Sequence, residues 1–543
     1  MNDLRIQGNI VDVVNKRIIR GEIKVEGGII KQIIENSEIQ DEIYILPGFI
    51  DSHVHIESSM LVPSEFARMA FRHGTVACIS DPHEIANVLG IRGVDYMIKN
   101  GNSSNMKFYF GAPSCVPATP FENAGAILST IEIRDLMARD DIHFLSEVMN
   151  FPGVLSGFKE VLNKLEIARE NQKPVDGHAP GLRGRELKKY IDSGISTDHE
   201  SSSYEEALEK IELGMKILIR EGSAAKNFDA LYPLIDKYPE KVMLCTDDIH
   251  PDDLYQGHIN LLLKKGLSKG LNLFNLLRSV TLNPKKHYNL KVGLLQKEDP
   301  ADFVVMNNLK DFNIKQTYID GYLVFDSSDS TSKFNGITGI NKYFVNKIDQ
   351  KDIKIPYLKQ YRVIEIMDGE IITKNTIWNN TIYSKYTEID RQHDILKLVV
   401  LNRYNLAKPA VAFVRGFNFK DLAVAQTIAH DSHNIISVGT ADELIIKAID
   451  LIHSNKGGIA VVKKEYEVCL PLPVAGLMSD KNFEYVINEY EKIMRILKNS
   501  GSKLHAPLMN LSFLALLVIP QIKLSDKGLF DVEQFKFVDL KVN

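Results

Sequence analysis

The sequence contains few cysteines and no pair of them at metal-binding or redox spacing. Cys78, Cys115, Cys245 and Cys469 lie far apart, and no C-x-x-C motif occurs. This distribution argues against a disulfide framework and against a cysteine-based zinc site. It is typical of a protein that folds in the reducing cytoplasm, which is where we expect this chain to be located.

The sequence also lacks an excess of basic residues and a long apolar run. Its 65 basic and 70 acidic residues give a formal net charge of −5, which excludes a general nucleic-acid-binding surface. The most apolar run, Leu511 to Pro520, has about half the length of a membrane span and is predicted to be a buried strand or helix. Residues Met1 to Arg5 lack the apolar segment of a secretory signal. We therefore expect no nucleic-acid and no membrane partner, whereas a homo-oligomer stays open.

The pattern of residues 47–289 is typical of alternating strands and helices. Short apolar runs alternate there with amphipathic segments such as residues 84–99, which indicates a parallel sheet. The eight predicted strands are Gly48–Glu57, Thr75–Asp81, Met106–Cys115, Ile142–Met149, Lys173–His178, Gly194–His199, Met215–Arg220 and Val242–Asp247. Eight β/α units match one (β/α)8 TIM-like barrel, and an open doubly wound sheet is the alternative that the same alternation permits.

The segments on both sides of the barrel predict a shared small β-domain. Residues 21–25 alternate with period two, as a half-buried strand does, and residues 299–306 have a similar character. We therefore predict an α/β protein with three units. They are a composite β-domain of residues 1–46 and 290–345, the barrel of residues 47–289, and a C-terminal α+β domain of residues 350–543.

Two details of the second half of the chain are also predicted. Residues 326–345 are rich in Ser, Asp, Asn and Gly and resemble a linker. In the C-terminal domain we expect a long amphipathic helix over residues 482–498. Strands are expected there around residues 396–401, 410–415, 435–438 and 458–462.

Histidines and carboxylates follow the predicted barrel strands. His53 and His55 are two residues apart on the first strand, so they project from the same face, and H-x-H is a common metal-binding arrangement. The later strands end in Glu147, His178, His199 and Asp247. Because barrel active sites lie at the C-terminal ends of the strands, these side chains are expected to converge. Four imidazoles and two carboxylates are enough to hold two metal ions that share a bridging carboxylate.

Other polar residues have more than one interpretation. Glu200 and Asp248 follow the sixth and eighth strands, and each could cap a helix, form a salt bridge or act in catalysis. The motif D-P-H-E at residues 81–84 is typical of a helix start, although it follows the second strand and His83 could line a pocket. The motif A-H-D-S-H-N at residues 429–434 is compatible with metal binding, with substrate contact or with a buried polar turn.

Long motifs give the chain a specific resemblance to one family. A resemblance to the amidohydrolase superfamily is carried by P-G-F-I-D-S-H-V-H and D-P-A-D-F-V-V. Within this superfamily, the chain resembles the adenine deaminase family. The barrel motifs that carry this resemblance are H-V-H-I-E-S-S-M, S-D-P-H-E-I-A-N-V, E-V-M-N-F-P-G-V and C-T-D-D-I-H-P-D-D-L. The C-terminal motifs that look like this family are A-H-D-S-H-N-I-I-S-V-G-T, P-L-P-V-A-G-L-M-S-D and L-S-F-L-A-L-L-V-I-P. The resemblance covers nearly the whole chain.

The resemblance implies hydrolytic deamination of adenine to hypoxanthine and ammonia, a reaction of purine salvage. It implies a pair of manganese (Mn2+) ions, with iron (Fe2+) or zinc (Zn2+) as the alternatives. The implied ligand sets are His53, His55 and Asp247 for one ion, His178 and His199 for the other, and Glu147 as the bridge. Many members of the superfamily use a carbamylated lysine as the bridge, so Glu147 argues against hydantoinase-like and dihydroorotase-like activities. The H-x-E…P-C-x-x-C pattern of the unrelated zinc nucleobase deaminases is absent.

Asp247 and Glu200 are the candidate catalytic residues. A metal ion can lower the pKa of bound water to about 7, and we expect the resulting hydroxide to attack C6 of adenine. Asp247 is predicted to take the proton and pass one to the departing amino group, and Glu200 is predicted to protonate a ring nitrogen. Two alternatives stay open. One is another amidohydrolase, acting on a different amino-heterocycle or a cyclic amide, and the other is a non-catalytic barrel that serves as an assembly scaffold.

Overall fold

The computed structural model describes residues 3–40, 42–329, 338–381 and 383–542 of the chain. Its first four strands are β1 (Leu4–Asp12), β2 (Arg17–Glu26), β3 (Ile29–Glu35) and β4 (Tyr44–Pro47). In β2 the side chains of Ile23 and Val25 are buried, whereas Lys24 between them is half-buried. This alternation is expected of a strand that packs one face on a core.

Eight parallel strands form the barrel in chain order. They are β5 (Phe49–Val54), β6 (Thr75–Ser80), β7 (Lys107–Ala112), β8 (Ile142–Val148), β9 (Val175–Gly177), β10 (Thr197–Asp198), β11 (Lys216–Arg220) and β12 (Val242–Cys245). Backbone hydrogen bonds close the ring at two junctions. The Ser196 N–H donates to the Val175 carbonyl oxygen (3.0 Å), and the Asp247 N–H donates to the His53 carbonyl oxygen (2.9 Å). The predicted (β/α)8 barrel is therefore confirmed, and the open sheet is wrong.

Helices connect the barrel strands and follow the last of them. They are α1 (Pro63–Phe71), α2 (His83–Leu89), α3 (Ile91–Gly101), α4 (Thr130–Met137), α5 (Phe151–Ser156), α6 (Lys159–Glu170), α7 (Gly184–Asp192), α8 (Tyr204–Glu212), α9 (Phe228–Leu231), α10 (Pro233–Lys237), α11 (Pro251–Gln256), α12 (Ile259–Ser268), α13 (Leu273–Ser279) and α14 (Leu282–Tyr288). A short 3-10 helix, Ile56–Ser59, follows β5. The amphipathic segment 84–99 is divided between α2 and α3, because Gly90 adopts φ +62° and ψ −142°, a conformation that favours glycine.

Segments from both sides of the barrel form one sheet. Strands β13 (Phe303–Met306), β14 (Ile314–Ile319) and β15 (Tyr322–Asp326) extend the N-terminal strands in the order β15-β14-β13-β4-β1-β2-β3. The link is antiparallel pairing of β13 with β4, in which Phe303 lies opposite Pro47. The predicted linker at residues 326–345 lies partly outside the described residues. The domain boundaries stay predictions.

In the described part of the C-terminal region, a large sheet is combined with three α-helices. Its strands are β16 (Ile355–Pro356), β17 (Gln360–Glu365), β18 (Lys374–Asn379), β19 (Tyr386–Thr387), β20 (Leu396–Leu401), β21 (Ala410–Arg415), β22 (Leu422–Gln426), β23 (Ile435–Gly439), β24 (Gly458–Lys463), β25 (Tyr466–Pro471), β26 (Ile522–Ser525), β27 (Gly528–Asp531) and β28 (Lys536–Phe537). Its helices are α15 (Asp442–Asn455), α16 (Phe483–Asn499) and α17 (Pro507–Phe513).

Eight of these strands form a mixed sheet in the order β18-β17-β21-β20-β23-β22-β24-β25. The four predicted strands are present as β20, β21, β23 and β24, and the predicted long helix is α16. The edge strand β18 was not predicted, because its polar residues interrupt any apolar run. The edge strand β25 was also not predicted. Among the described residues, no helix has both the length and the apolar composition needed to cross a membrane. The apolar run at residues 511–520 instead comprises the end of α17 and the turns that follow it.

Candidate metal centre and active site

Six side chains from five strand ends meet at the C-terminal mouth of the barrel. This group, called the metal centre below, consists of His53, His55, Glu147, His178, His199 and Asp247. All six residues are buried, and the most accessible of them, His178, is 8% exposed. Because each residue lies in the last two positions of a barrel strand or within two residues after it, the rigid backbone of the barrel positions its side chain.

Asp247 joins the last barrel strand to the first. Its carbonyl oxygen accepts a hydrogen bond from the His55 N–H (3.2 Å), next to the bond that its own N–H donates to His53. The backbone of Asp247 adopts φ +60°, a left-handed conformation that is uncommon for residues other than glycine. In this conformation Asp247 Oδ1 lies 3.2 Å from His55 Nε2 and 3.7 Å from His53 Nε2.

Glu147 lies between the two histidine pairs. Its Oε1 is 3.3 Å from His55 Nε2, and its Oε2 is 2.7 Å from His178 Nδ1 and 3.2 Å from His199 Nε2. Burial alone would raise the pKa of Glu147, but the facing histidines, His178 foremost, bring it well below its ordinary value. Glu147 is therefore a carboxylate whose two oxygen atoms face different sets of imidazoles.

The donor set fits a pair of divalent metal ions. His55 Nδ1 lies 3.2 Å from the carbonyl oxygen of Asp81, so it donates its proton there and turns the lone pair of Nε2 towards His53 Nε2, 3.1 Å away. Metal-binding histidines commonly anchor their second nitrogen in this way. Imidazole and carboxylate ligands suit several divalent transition metals without sharp discrimination. The residues therefore fit such ions but do not select one of them.

Glu200 forms a buried ion pair with Arg220 at the edge of the metal centre. Arg220 Nη2 donates to Glu200 Oε2 (2.8 Å), and Arg220 Nη1 donates to both Glu200 Oε1 and Asp247 Oδ2. Burial alone would raise the pKa of Glu200, but Arg220 and then His178 bring it below its ordinary value. Glu200 is therefore an ionised acceptor at neutral pH, with Oε1 3.4 Å from His199 Nε2.

Sequence reasoning missed Arg220 as a site residue, although its position at the end of β11 was an available signal. The role of the D-P-H-E motif at residues 81–84, which leads into α2, was only partly predicted. The helix begins at His83, and Asp81 Oδ1 accepts a hydrogen bond from the His83 N–H (3.1 Å). His83 Nδ1 also lies 3.5 Å from Glu147 Oε1, so the motif both begins a helix and reaches the metal centre.

A cleft beside the metal centre has a polar side and an apolar side. The barrel residues that line it are His178, His199, Glu200, Arg220, Gly222, Ala225, Asp247 and Asp248. The C-terminal region contributes Ile371, Met509, Phe513, Leu516 and Ile519. This lining suits a small ligand with an apolar face and polar edges. The contribution of residues 509–519 was not predicted.

Comparisons with known proteins agree over the whole chain. The model of the amidohydrolase family matches residues 44–324, and that of the adenine deaminase C-terminal domain matches residues 370–536. The curated adenine deaminase of Methanosarcina mazei is 50% identical over 550 residues, covering 99% of this chain and 99% of that protein. The adenine deaminase of Borreliella burgdorferi is 45% identical over 548 residues, covering 99% of this chain and 100% of that protein. The chain therefore belongs to the adenine deaminase family of amidohydrolases.

Proposed function

We propose that this chain hydrolyses adenine to hypoxanthine and ammonia, a cleavage of a C–N bond that serves purine salvage. The observation that carries the proposal is the metal centre, in which all the candidate ligands meet in one buried site. The high identity to named adenine deaminases over 99% of the chain supports the choice of substrate. A barrel that served only as a scaffold would be expected to have lost some of these ligands.

The metal centre is proposed to hold two divalent ions. His53, His55 and Asp247 would hold the first ion, His178 and His199 would hold the second, and Glu147 would be the ligand that both share. The distances support this division, because Asp247 Oδ1 faces the first pair and Glu147 faces both. Manganese is the proposed metal, with iron or zinc as alternatives. When bound, such ions lower the pKa of a water molecule to about 7.

Two carboxylates are proposed to move the protons of the reaction. The water oxygen adds to C6 of adenine and the bond from C6 to the amino nitrogen breaks, so the two water protons must reach the amino group and a ring nitrogen. Asp247 accepts one proton and delivers it to the departing amino group. Glu200 delivers the other to the ring. Because Arg220 keeps Glu200 ionised, Glu200 must first accept that proton from the attacking water.

The cleft beside the metal centre is the proposed purine site. Its barrel side offers the carboxylates and imidazoles that can meet the polar edge of a purine. Its C-terminal side offers Phe513, whose ring is stacked on His430 with a centroid distance of 4.6 Å and an interplanar angle of 17°. The Ser512 hydroxyl donates to the Ile428 carbonyl oxygen (2.8 Å), which fixes α17 in place. A planar base is therefore expected to pack against Phe513.

Phe513→Ala is expected to raise the KM for adenine by roughly 5- to 150-fold, the cost of losing one base–aromatic contact. The effect on kcat should be small, because Phe513 is not among the metal ligands or the proton carriers. Steady-state kinetics at saturating Mn2+ measure both parameters. Phe417→Ala is the matched control, since Phe417 is fully buried in the same region but does not line the cleft. A KM in Phe513→Ala equal to that of the control would contradict this placement.

The activity itself is tested by incubating Mn2+-loaded protein with adenine and following the formation of hypoxanthine and ammonia. His53→Ala is the control, because it removes one of the proposed ligands from the barrel. Turnover well above that of His53→Ala is expected. If adenine is not converted, other amino-heterocycles and cyclic amides are the substrates to assay next, and elemental analysis distinguishes an inactive metal site from a protein that binds no metal.

A further inference from the structure

A second buried cluster of ionisable groups lies where α2 of the barrel contacts the C-terminal region. His83 and Glu84 come from the first turn of α2, and His430, Asp431 and His433 come from the turn between β22 and β23. Each of these five residues is at most 3% exposed. The cluster is distinct from the metal centre in its donor atoms, because His83 faces the two groups with different ring nitrogens.

His83 presents an unprotonated nitrogen to this cluster in its neutral form. Its Nδ1 lies 3.0 Å from Asp81 Oδ2 and donates its proton to that carboxylate. The lone pair of Nε2 then points towards Glu84 Oε1 at 3.6 Å and Asp431 Oδ2 at 3.8 Å. A carboxylate that anchors one ring nitrogen while the other is free is the usual arrangement around a metal-binding histidine.

Asp431 supplies the second, independent observation. Its Oδ2 is buried and has no hydrogen-bond partner within the described part of the chain. An isolated buried carboxylate oxygen is costly unless a cation or a donor compensates it. The separations of 3.6 and 3.8 Å from His83 Nε2 are too long for hydrogen bonds. They match atoms that share one ion, because ligands about 2.0–2.2 Å from a metal are roughly 3–4 Å apart.

Two histidines of the C-terminal region hold Glu84 in place. His430 Nδ1 and His433 Nε2 contact the two oxygen atoms of the Glu84 carboxylate. His433 cannot itself bind a metal ion through Nε2, because its Nδ1 accepts a hydrogen bond from the Ala429 N–H (3.2 Å) and its proton therefore resides on Nε2. His430 and His433 are thus positioning residues, which aim Glu84 at the space between His83 and Asp431.

We propose that His83, Glu84 and Asp431 bind a third divalent metal ion, which joins the barrel to the C-terminal region. One imidazole and two carboxylates form a donor set suited to Mn2+ or Zn2+. The ion compensates the unpartnered oxygen of Asp431 and supplies a link that neither region can form alone. This site needs a ligand from each region, and it uses none of the six residues of the metal centre.

The test counts metal ions at equilibrium. Protein freed of metal with a chelator is titrated with Mn2+, and free Mn2+ is measured by electron paramagnetic resonance. We expect the unmodified protein to bind three ions per chain and Asp431→Asn to bind two, with the affinity of the remaining two unchanged. Glu84→Gln is a second variant and is also expected to bind two. Asp526→Asn is the matched control, since this buried carboxylate accepts hydrogen bonds from the amides of Asn123 and Asn402, and three ions are expected there.

Equal totals for the unmodified protein and Asp431→Asn would overturn the third site. A total of two in the unmodified protein would overturn it as well, without any variant. Circular dichroism identifies a variant that fails to fold, in which case Glu84→Gln and the unmodified total decide. Because the count requires no substrate, its result is independent of whether adenine is the substrate.

Discussion

Asp247→Asn is expected to lower kcat for adenine by about 10²- to 10⁴-fold while leaving the fold intact. The substitution keeps the size of the side chain, so the backbone links of Asp247 to His53 and His55 can persist. An amide cannot accept the proton that the Asp247 carboxylate is proposed to carry. It also removes the charge that Arg220 Nη1 contacts, although Glu200 continues to hold that guanidinium. Hypoxanthine formation at saturating Mn2+ gives kcat, and metal analysis and circular dichroism are made on the same sample.

A second buried aspartate of the barrel provides the control for Asp247→Asn. Asp176 is the middle residue of β9 and accepts hydrogen bonds from the hydroxyls of Thr197 (2.9 Å) and Tyr288 (3.0 Å). Burial raises the pKa of Asp176 to about 7, so its neutral form is already populated at neutral pH and asparagine resembles it. Asp176→Asn should therefore keep kcat within a few-fold of the unmodified protein. If Asp247→Asn were as active as Asp176→Asn, the proposed proton transfer would be wrong.

The barrel was predictable because its strands are buried on both faces. Every residue of β6, Thr75–Ser80, is buried, and such a strand leaves a continuous apolar run in the sequence. The polar residue that ends such a run stands out against it. Glu147 was identified for this reason, whereas His53 was identified from the H-x-H spacing and Asp247 from its position at the end of the eighth strand. The structure brings their side chains into one site. The roles assigned to them stay proposals.

Contacts between remote segments were not predictable in the same way. Phe513 and Glu200 line one cleft although more than half of the chain separates them in sequence. Hydrophobic periodicity reports which face of an element is buried but not which element covers it. The same limit applies to Glu84, which a local interpretation treats as part of a helix start. Its contacts with His430 and His433 depend on how the C-terminal region packs on the barrel.

Arg220 illustrates a third reason why a site residue is not identified from the sequence. A cation at the end of a strand is ambiguous, because it could equally lie on the surface. Its function depends on the partners Glu200 and Asp247, which come from two other strand ends. In the barrel, burial alone would raise the pKa of Glu200 and of Asp247. The guanidinium of Arg220 lowers both pKa values and so keeps the two carboxylates ionised. Only the folded barrel shows that Arg220 is adjacent to Glu200 and Asp247.

Glu147→Gln is expected to have the largest effect on metal binding. Glu147 is the one residue of the metal centre whose two oxygen atoms face both histidine pairs, at 3.3 Å from His55 Nε2 and 2.7 Å from His178 Nδ1. Glutamine has a single carbonyl oxygen and no charge, so it cannot bridge two cations. The loss of a direct bridging ligand should weaken binding by more than the roughly 10- to 100-fold typical of residues that only orient a ligand.

Titration of metal-free Glu147→Gln with Mn2+ should therefore show at least one ion fewer per chain than the unmodified protein, together with a loss of adenine turnover. Glu65→Gln is the matched control. Glu65 is a similarly buried glutamate on α1 that accepts hydrogen bonds from Arg68 (2.8 Å) and from the Phe483 N–H (3.0 Å), outside the metal centre. Its metal content should equal that of the unmodified protein. Full occupancy with unchanged affinity in Glu147→Gln would show that the two ions do not share this carboxylate, and the proposed ligand assignment would have to be abandoned.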